Sequence, residues 1–257
     1  MHALKISFNG NPNIGLYGFA TDSYCLMPIH ISSKLIAKIK QVLDVPIYQL
    51  SIAGTDLLGA LCAGSSDLLL IPEITRDEEI KQLEKHKLPY KIIKTKLNAL
   101  GNNIIIKGDT CLVNPEFDQE TIEQLKKLNL KVFKGEIAES PTVGSCAVIT
   151  SKGCIIHRDA SEREIEHIEK LFKTTSDIGT VNMGNPHVSS GIIANSNGYM
   201  IGDLTSGHEI MRIESALGFQ NGWKTSSAKI SWVPDNRTAD ERVSAGINDL
   251  AGSIEWI

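Results

Sequence analysis

Histidine and cysteine are the residues of this chain with the widest range of possible chemistry. The 257 residues include seven histidines and five cysteines. No two cysteines have C-x-x-C spacing, and no two histidines have the spacing of a metal site on one helix or strand. The sequence therefore predicts no metal site.

Nucleophile and phosphate motifs are absent from the sequence as well. There is no G-x-S-x-G elbow, which rules out the usual exposed serine nucleophile of a hydrolase. The 21 glycines form neither G-x-x-x-x-G-K-[ST] nor G-x-G-x-x-G after a strand, so no phosphate-containing cofactor is indicated. We expect no catalytic residues and no cofactor.

A repeated phrase organises the chain and positions these residues. An apolar residue, a Gly or Ser, an apolar strand-like run, a polar turn and a second apolar run recur five times. The separations of about 42–45 residues are typical of a repeat architecture. The five anchors are Ile14-Gly15, Leu58-Gly59, Leu100-Gly101, Val143-Gly144 and the degenerate Val188-Ser189.

The repeat gives three of the cysteines and one of the histidines a structural explanation. Cys25, Cys111 and Cys154 share one repeat position, which Leu69 and Tyr199 fill in the other copies. A position that accepts Cys, Leu or Tyr is a core position, so these thiols are predicted to be buried. His157 stands at a strand end where three other copies have proline, which favours a structural role there too.

Each predicted hairpin is followed by a helix and then by a strand. Ser161 with Glu164 three residues later predicts a capping box at one helix start. The other predicted helix starts are Ser32 or Ser33, Thr75, Asp118 and Thr205.

The N-terminal segment is predicted to close the five units into a ring. Leu4, Ile6 and Phe8 alternate with polar residues before Gly10, as a similar strand does before Gly54. The fifth helix has no such strand behind it, so the first strand is free to complete the fifth unit. A closed ring leaves no sheet edge exposed.

Composition limits the partners and the cellular location. A net charge of −4 and a pI of about 6.0 exclude a global positive field that attracts nucleic acid. No apolar run approaches the ~18 residues of a membrane span, and the N-terminus has no signal-peptide pattern. Together with the unclustered cysteines, this predicts a cytoplasmic protein with no membrane contact.

We divide the chain into a ring over residues 1–219 and a C-terminal extension over residues 220–257. The extension contains all three tryptophans and no sixth copy of the repeat. We expect a loosely attached, flexible tail because its apolar density is low. A segment packed on the ring and a non-native extension are the alternatives.

Five polar loops precede the anchors and are predicted to emerge on the same side of the ring. They comprise residues 10–13, 54–56, 96–99, 139–142 and 184–187. Pro12, Pro141 and Pro186 stiffen three of them, each three residues before its anchor. Rigid loops on one face are either simple connections or a binding surface.

The repeated segments resemble the translation initiation factor six family of archaea and eukaryotes, whose members are ribosome anti-association factors. The resemblance extends over residues 4–219, with the motifs in order and at matching spacing. It rests on NPNIG (11–15), SIAG (51–54), NALGN (98–102), PTVGS (141–145), TSKGC (150–154) and IANSNG (193–198). Residues 220–257 match neither form of the family.

This resemblance implies an α/β fold, the pentein, which is a five-bladed β/α propeller with pseudo-fivefold symmetry closed by its N-terminal strand. It also implies a non-enzymatic protein, expected to be a monomer. Such a protein binds the large ribosomal subunit through a ribosomal protein and adjacent rRNA at the subunit interface. It sterically prevents joining of the small subunit and acts in translation initiation and large-subunit maturation.

The loops and anchors supply the candidate ribosome contacts. Asn102 is the strongest of them, because it follows the best-matched anchor at a position that varies in the other copies. The full set is Asn13, Asp56, Asn98, Leu100, Asn102, Thr142, Ser145 and His187.

Two other functions are compatible with a ring of this kind. Pentein enzymes that modify guanidino groups have a cysteine nucleophile in the last repeat, but the last cysteine here is Cys154, in the fourth repeat. A protein-binding ring with a different partner is the second alternative. The repeat of about 42–45 residues is compatible with this alternative, and only the resemblance of the motifs to the family argues against it.

Overall fold

Each sequence repeat folds into a β-hairpin, a helix and a third strand. The structure is a computed structural model that describes residues 2–219. The predicted extension over residues 220–257 lies outside the described residues. The strands in chain order are β1 (Ala3–Ile6), β2 (Phe19–Ala20), β3 (Cys25–Met27), β4 (Ile47–Gln49), β5 (Ala63–Ser65), β6 (Leu68–Pro72), β7 (Tyr90–Ile93), β8 (Ile104–Lys107), β9 (Thr110–Val113), β10 (Lys131–Lys134), β11 (Ala147–Ile149), β12 (Cys154–His157), β13 (Ser176–Gly179), β14 (Ile192–Ala194) and β15 (Tyr199–Gly202).

Within residues 2–219, these strands form five three-stranded sheets. In the second repeat, β5 pairs antiparallel with β6 and β6 pairs parallel with β7. The other repeats have the same arrangement, with orders β2-β3-β4, β8-β9-β10, β11-β12-β13 and β14-β15-β1. The predicted pentein, a five-bladed β/α propeller, is confirmed.

Long and short helices alternate along the described chain. The helices in chain order are α1 (Ser33–Leu43), α2 (Leu58–Leu61), α3 (Asp77–Lys85), α4 (Leu100–Asn103), α5 (Gln119–Lys126), α6 (Val143–Cys146), α7 (Glu162–Phe172) and α8 (Gly207–Ala216). Two 3-10 turns, Ile14–Leu16 and Val188–Gly191, complete the set of short elements. Among the helices of residues 2–219, none has the length and apolar character needed to cross a bilayer.

Two of the predicted helix starts are wrong by one residue. α3 and α8 are capped by Arg76 and Ser206 rather than by Thr75 and Thr205. Both threonines are buried and donate their hydroxyls elsewhere: Thr75 Oγ1 bonds the Pro72 carbonyl at 2.7 Å. The predicted caps Ser32, Asp118 and Ser161 are confirmed.

Five short helical turns meet at the axis of the ring, and their backbones touch. We call Ile14–Leu16, α2, α4, α6 and Val188–Gly191 the axis turns. A β-carbon at Gly59 would overlap the Gly15 carbonyl oxygen, and one at Gly101 would overlap that of Gly59. The same relation joins Gly144 to Gly101 and Gly15 to Ser189. The anchor glycines are therefore required by close backbone approach.

The N-terminal strand closes the ring, as predicted. β1 pairs parallel with β15, with Leu4 opposite Met200 and Ile6 opposite Gly202. Phe8 is not part of this strand, so that element of the prediction is wrong. Its backbone instead forms a tight bridge with Asn11, and its buried side chain packs in the core of the first repeat.

The apolar core is divided into clusters that each join two neighbouring repeats. Ala63, Leu70 and Ile93 of the second repeat pack with Leu100 and other residues of the third. The other four clusters found in residues 2–219 likewise draw on two consecutive repeats, including the first and the fifth. No repeat has a complete core of its own, so the units stabilise one another around the ring.

The cysteines are buried and free, as the repeat position predicted for three of them. Cys25, Cys111 and Cys154 are inaccessible to solvent, and none of the five cysteines forms a disulfide. Burial raises the pKa of the Cys111 and Cys154 thiols to about 12. These thiols stay protonated and belong to the core.

Substitution of an axis glycine tests the backbone ring. Gly101→Ala forces a methyl group against the Gly59 carbonyl, so we expect a loss of about 1–3 kcal/mol of unfolding free energy. Gly207→Ala is the matched control, because nothing lies within 4 Å of a β-carbon there and α8 gains a better helix former. Thermal denaturation measures both. Equal melting temperatures for the two variants would contradict the close-approach model.

Candidate functional site

The two ends of the ring differ in the segments that they carry. The five loops that precede the axis turns lie at the end where the long helices begin, since the N–H groups of Gly54 and Gly184 donate to Glu79 of α3 and Glu209 of α8. We call this end the loop face. The five hairpin turns border one cavity at the opposite end of the strands, which we call the hairpin face.

Glutamates at helix starts hold three of the five loops in place. Glu209 Oε2 accepts a hydrogen bond from the Ser206 N–H at 2.7 Å, which caps α8. Its other oxygen accepts from the Gly184 N–H at 2.9 Å and from Thr180 Oγ1 at 2.8 Å. One carboxylate thus fixes the helix start and the preceding loop together. Glu79 and Glu164 do the same for the loops at Gly54 and Ala138.

The hydrogen bonds shift the acidity of these carboxyls. Burial by itself raises the pKa of Glu209, but the bonds from Ser206, Gly184 and Thr180 outweigh it, and the pKa falls below its ordinary value. The pKa values of Glu79 and Glu164 are lowered for the same reason. Hydrogen bonding to the charged form therefore dominates over desolvation at all three sites.

The remaining two loops are held by amide side chains. In the first loop, Asn11 Oδ1 accepts from the Asn13 N–H at 2.9 Å, and its amide donates to the Tyr17 hydroxyl at 3.0 Å. Near the third loop, Gln124 of α5 bonds both the N–H and the carbonyl of Lys94, at 3.0 and 2.9 Å. The first loop is thus tied to its own axis turn, and the residue leading into the third loop is tied to α5.

α4 holds Asn102 in a fixed orientation. Leu100 is fully buried, and Asn103 is buried with its amide donating to the Ala99 carbonyl at 2.8 Å. Asn103 Oδ1 in turn accepts from Asn114 Nδ2 at 2.7 Å. Asn102 lies between these inward residues, and within residues 2–219 its half-buried amide has no hydrogen-bond partner.

The structure removes Leu100 from the predicted contacts. Its side chain has no solvent exposure because it fills the core between the second and third repeats. Leu100 was predicted because it belongs to the motif NALGN, which resembles the family. The structure shows that the leucine of this motif is a packing residue. Leu100 is not available to a partner of the folded ring.

Three other predicted contacts are engaged inside the ring. Asn13 Oδ1 accepts from Asn182 Nδ2 at 3.3 Å, across the junction of the first and fifth repeats. Ser145 Oγ lies 2.9 Å from Thr142 Oγ1 and donates to the Thr142 carbonyl at 2.7 Å. These polar groups stabilise the loops. Asn98 differs, because its Oδ1 is buried without a partner among the described residues.

Asp56 and His187 are predicted contacts that remain accessible. Asp56 is half-buried at the edge of a cavity beside Asn11, and His187 is exposed. Two apolar residues of the same loops were missed by the sequence reasoning: Met183 is 76% exposed and Leu57 is 38% exposed. The sequence did contain a signal for them, because each is an apolar residue beside Gly, Asn or Asp in a predicted loop.

His187 belongs to a small cluster at the junction of the fourth and fifth repeats. Its Nδ1 lies 3.8 Å from Cys146 Sγ, and its ring meets that of the buried His157 with centroids 5.3 Å apart. Burial lowers the pKa of His157 and His187 lowers it further, against the opposing effect of Asp159. Burial also raises the pKa of Cys146, so the thiol is not activated. Residues 2–219 contain no group of three such side chains arranged to hold a metal.

Comparison with known protein families identifies the chain. The sequence model of the eIF-6 family matches residues 3–216, which is nearly all of the ring. The chain belongs to the eIF-6 family. Among similar proteins are the translation initiation factors 6 of Pyrococcus abyssi (36% identity over 225 residues, 85% of this chain and 99% of the relative) and Sulfolobus acidocaldarius (37% over 217 residues, 83% and 97%).

Solved structures similar to this eIF-6 family member are much more distant in sequence. Dimethylarginine dimethylaminohydrolase with S-methyl-L-thiocitrulline has a TM-score of 0.44 at 14% identity, covering 79% of this chain and 72% of the other. The N-terminal domain of ArgZ, an arginine dihydrolase of cyanobacteria, has a TM-score of 0.47 at 11% identity, covering 76% of each chain. Similarities this low carry no argument about activity.

Neutralising Glu209 tests whether its carboxylate holds the loop and helix together. Because the folded-state pKa lies below the ordinary 4.5, the stabilisation is complete above about pH 4.5 and is lost as the pH falls through the lowered pKa. We expect Glu209→Gln to cost about 1 kcal/mol at pH 7, a modest value for a half-exposed group. The difference from the wild type should shrink in acid. Glu116→Gln, at an exposed loop position, is the control in the same melting series.

The buried His157 predicts a second pH dependence, near neutrality. Its pKa is lower in the folded protein than the ordinary 6.5, so the unfolded chain takes up the proton first and stability falls as the pH drops below about 6.5. His157→Asn keeps an acceptor for the Asp159 N–H and should reduce this loss by a few degrees of melting temperature between pH 7.5 and pH 5.5. The exposed His208, changed to Asn, should leave the loss unchanged. Identical pH profiles for all three proteins would refute this role of His157.

Proposed function

We propose that this eIF-6 family member is a translation initiation factor that binds the large ribosomal subunit through its loop face and sterically prevents small-subunit joining. The family and the names of its relatives support a role in initiation. The rigid loop face, with a free amide at Asn102, is the observation that carries the large-subunit contact. The proposal extends to large-subunit maturation in the cytoplasm and to a monomeric protein.

The accessible side chains of the loop face favour a protein surface as the main contact. Asn102, Asp56 and His187 offer an amide, a carboxylate and an imidazole, and Leu57 and Met183 add exposed apolar groups. This mixture is typical of protein–protein interfaces. Lys96 is the one lysine of the five loops, which contain no arginine and also carry Asp56 and Glu139. Because few groups of this face can neutralise phosphates, a ribosomal protein is the preferred partner and adjacent rRNA is a minor one.

The fixed geometry of the loops supports binding without a large ordering cost. Carboxylates and amides already hold the loops against the helix starts. Side chains that are ordered before binding lose little conformational entropy on association. A closed ring is also hard to compress, so it obstructs a second subunit by its bulk.

A cavity beside the axis turns, which we call the axis cavity, disfavours the alternative of a guanidino-modifying hydrolase. Its volume is about 140 Å³, and apolar side chains such as Ile105, Val148 and Ile193 line it. Of the described residues that line it, Cys62 carries the only thiol, and burial raises the pKa of that thiol. Nucleophilic attack requires the thiolate, which this environment suppresses.

Substitution of Asn102 tests the proposed contact. Asn102→Ala removes an amide that no other described residue uses, so we expect affinity for large subunits to fall about tenfold, or ~1.4 kcal/mol, at unchanged melting temperature. Gln41→Ala removes an exposed amide from α1, away from the loops, and should bind normally. Co-sedimentation with purified large subunits measures binding, and a subunit-joining assay measures the block.

Three outcomes would overturn parts of this proposal. If the wild-type protein binds large subunits but small subunits still join them, the proposed steric block is wrong. Equal affinities of the Asn102→Ala and Gln41→Ala variants would move the contact off the loop face. Turnover of arginine or dimethylarginine by the wild-type protein would revive the hydrolase alternative.

A further inference from the structure

The hairpin face contains a cavity to which every repeat contributes. Its volume is about 860 Å³, and its walls include residues from all five hairpin turns and from the segment that follows α5. Pockets that bind ligands of nucleotide size typically enclose roughly 300–1,000 Å³. The cavity lies at the opposite end of the ring from the loop face, so it goes beyond the proposed ribosome contact.

Three lysines and three aspartates line this cavity, but they differ in how their charges are used. Asp22 accepts hydrogen bonds from the N–H and hydroxyl of Ser196, at 2.7 and 2.8 Å. Asp109 is paired with Lys131 at 2.7 Å. Only Asp109 is neutralised by a cation, because the partners of Asp22 are uncharged groups; Asp22 and Asp67 keep their negative charge.

The three lysines of the cavity form no ion pair with a described residue, although Lys127 lies in the field of Glu123. Among residues 2–219, Lys91, Lys107 and Lys127 have no carboxylate within 4.0 Å and no side-chain hydrogen bond. Lys107 is half-buried, and burial lowers its pKa. A partly desolvated ammonium without a counterion is a position where a bound anion restores the lost solvation. Three lysines (+3) thus face Asp22 and Asp67 (−2), while Asp109 and Lys131 cancel each other, so the cavity carries a net charge of +1.

Apolar side chains complete the walls between the charged groups. Leu68, Ile106 and Leu128 line the same cavity as the lysines. We propose that the cavity binds a small organic phosphate, with its phosphates among Lys91, Lys107 and Lys127 and its apolar part against these three side chains. Lysine recognises phosphate as a point charge, which suits three separate lysines around one cavity.

Calorimetric titration of the full-length protein with ATP tests the proposal, with tripolyphosphate and adenosine as separate probes. We expect ATP to bind more tightly than tripolyphosphate, because only ATP reaches the apolar walls, and adenosine to bind more weakly than both. Lys107→Gln should lower ATP affinity about tenfold. Asp67→Asn should raise it, since it removes the charge of a carboxylate that has no partner among the described residues. Lys38→Gln, an exposed substitution on α1 outside the cavity, is the charge-matched control.

The outcomes separate a site from diffuse attraction. Equal losses for Lys107→Gln and Lys38→Gln would show that net charge governs binding and would overturn the proposal. If tripolyphosphate binds as tightly as ATP, the apolar side chains do not contribute to binding. If neither probe binds, the cavity is not a phosphate site. Melting temperatures of the variants, measured alone and with ATP, distinguish lost binding from lost folding. None of these measurements involves ribosomes, so the result does not depend on the proposed function.

Discussion

The contact of one backbone with the next at the axis is the constraint on which the ring depends. At four of the five junctions, an axis turn presents a carbonyl oxygen to the position where the following turn would carry a β-carbon; at the fifth, the following turn has Ser189. Only glycine permits this distance, so Gly15, Gly59, Gly101 and Gly144 recur at the interval of one repeat. The approach brings neighbouring sheets close enough for each apolar cluster to span two repeats. Stability is therefore a property of the closed ring, to which β1 adds the last pairing.

The same close approach explains why the axis cavity is lined mainly by small or apolar residues. Residues next to the axis must be small or apolar to fit between converging strands, and Ala63, Ala147 and Ile193 fill this space. A catalytic centre there would need buried polar groups with partners, which cost free energy unless they are fully satisfied. Of the described residues that line the axis cavity, Ser189 carries the one hydroxyl and none is charged. The axis is therefore occupied by packing, and the polar groups discussed above lie away from it.

The sequence predicted the architecture well because period, turns and caps are local signals. It predicted individual contacts less well, because neighbouring positions of one motif point in opposite directions. Leu100 and Asn103 are buried, whereas Asn102 between them has a free amide. A four-residue helical turn is too short for its hydrophobic pattern to reveal this. The cavity of the hairpin face was missed since it combines residues from five distant turns, and no local pattern encodes that proximity.

The two faces of the ring differ in how their polar groups are held. At the loop face, Glu209 and its counterparts lock the loops to the helices, so this surface changes little while the ring is folded. At the hairpin face, three lysines that form no ion pair within residues 2–219 line an open cavity, where we propose that an organic phosphate binds. A ligand there can influence a partner on the other face only if it binds two states of the ring differently. Because the axis turns are packed backbone against backbone, a shift of one turn displaces the turns in contact with it. Coupling between the faces would accordingly involve neighbouring repeats together.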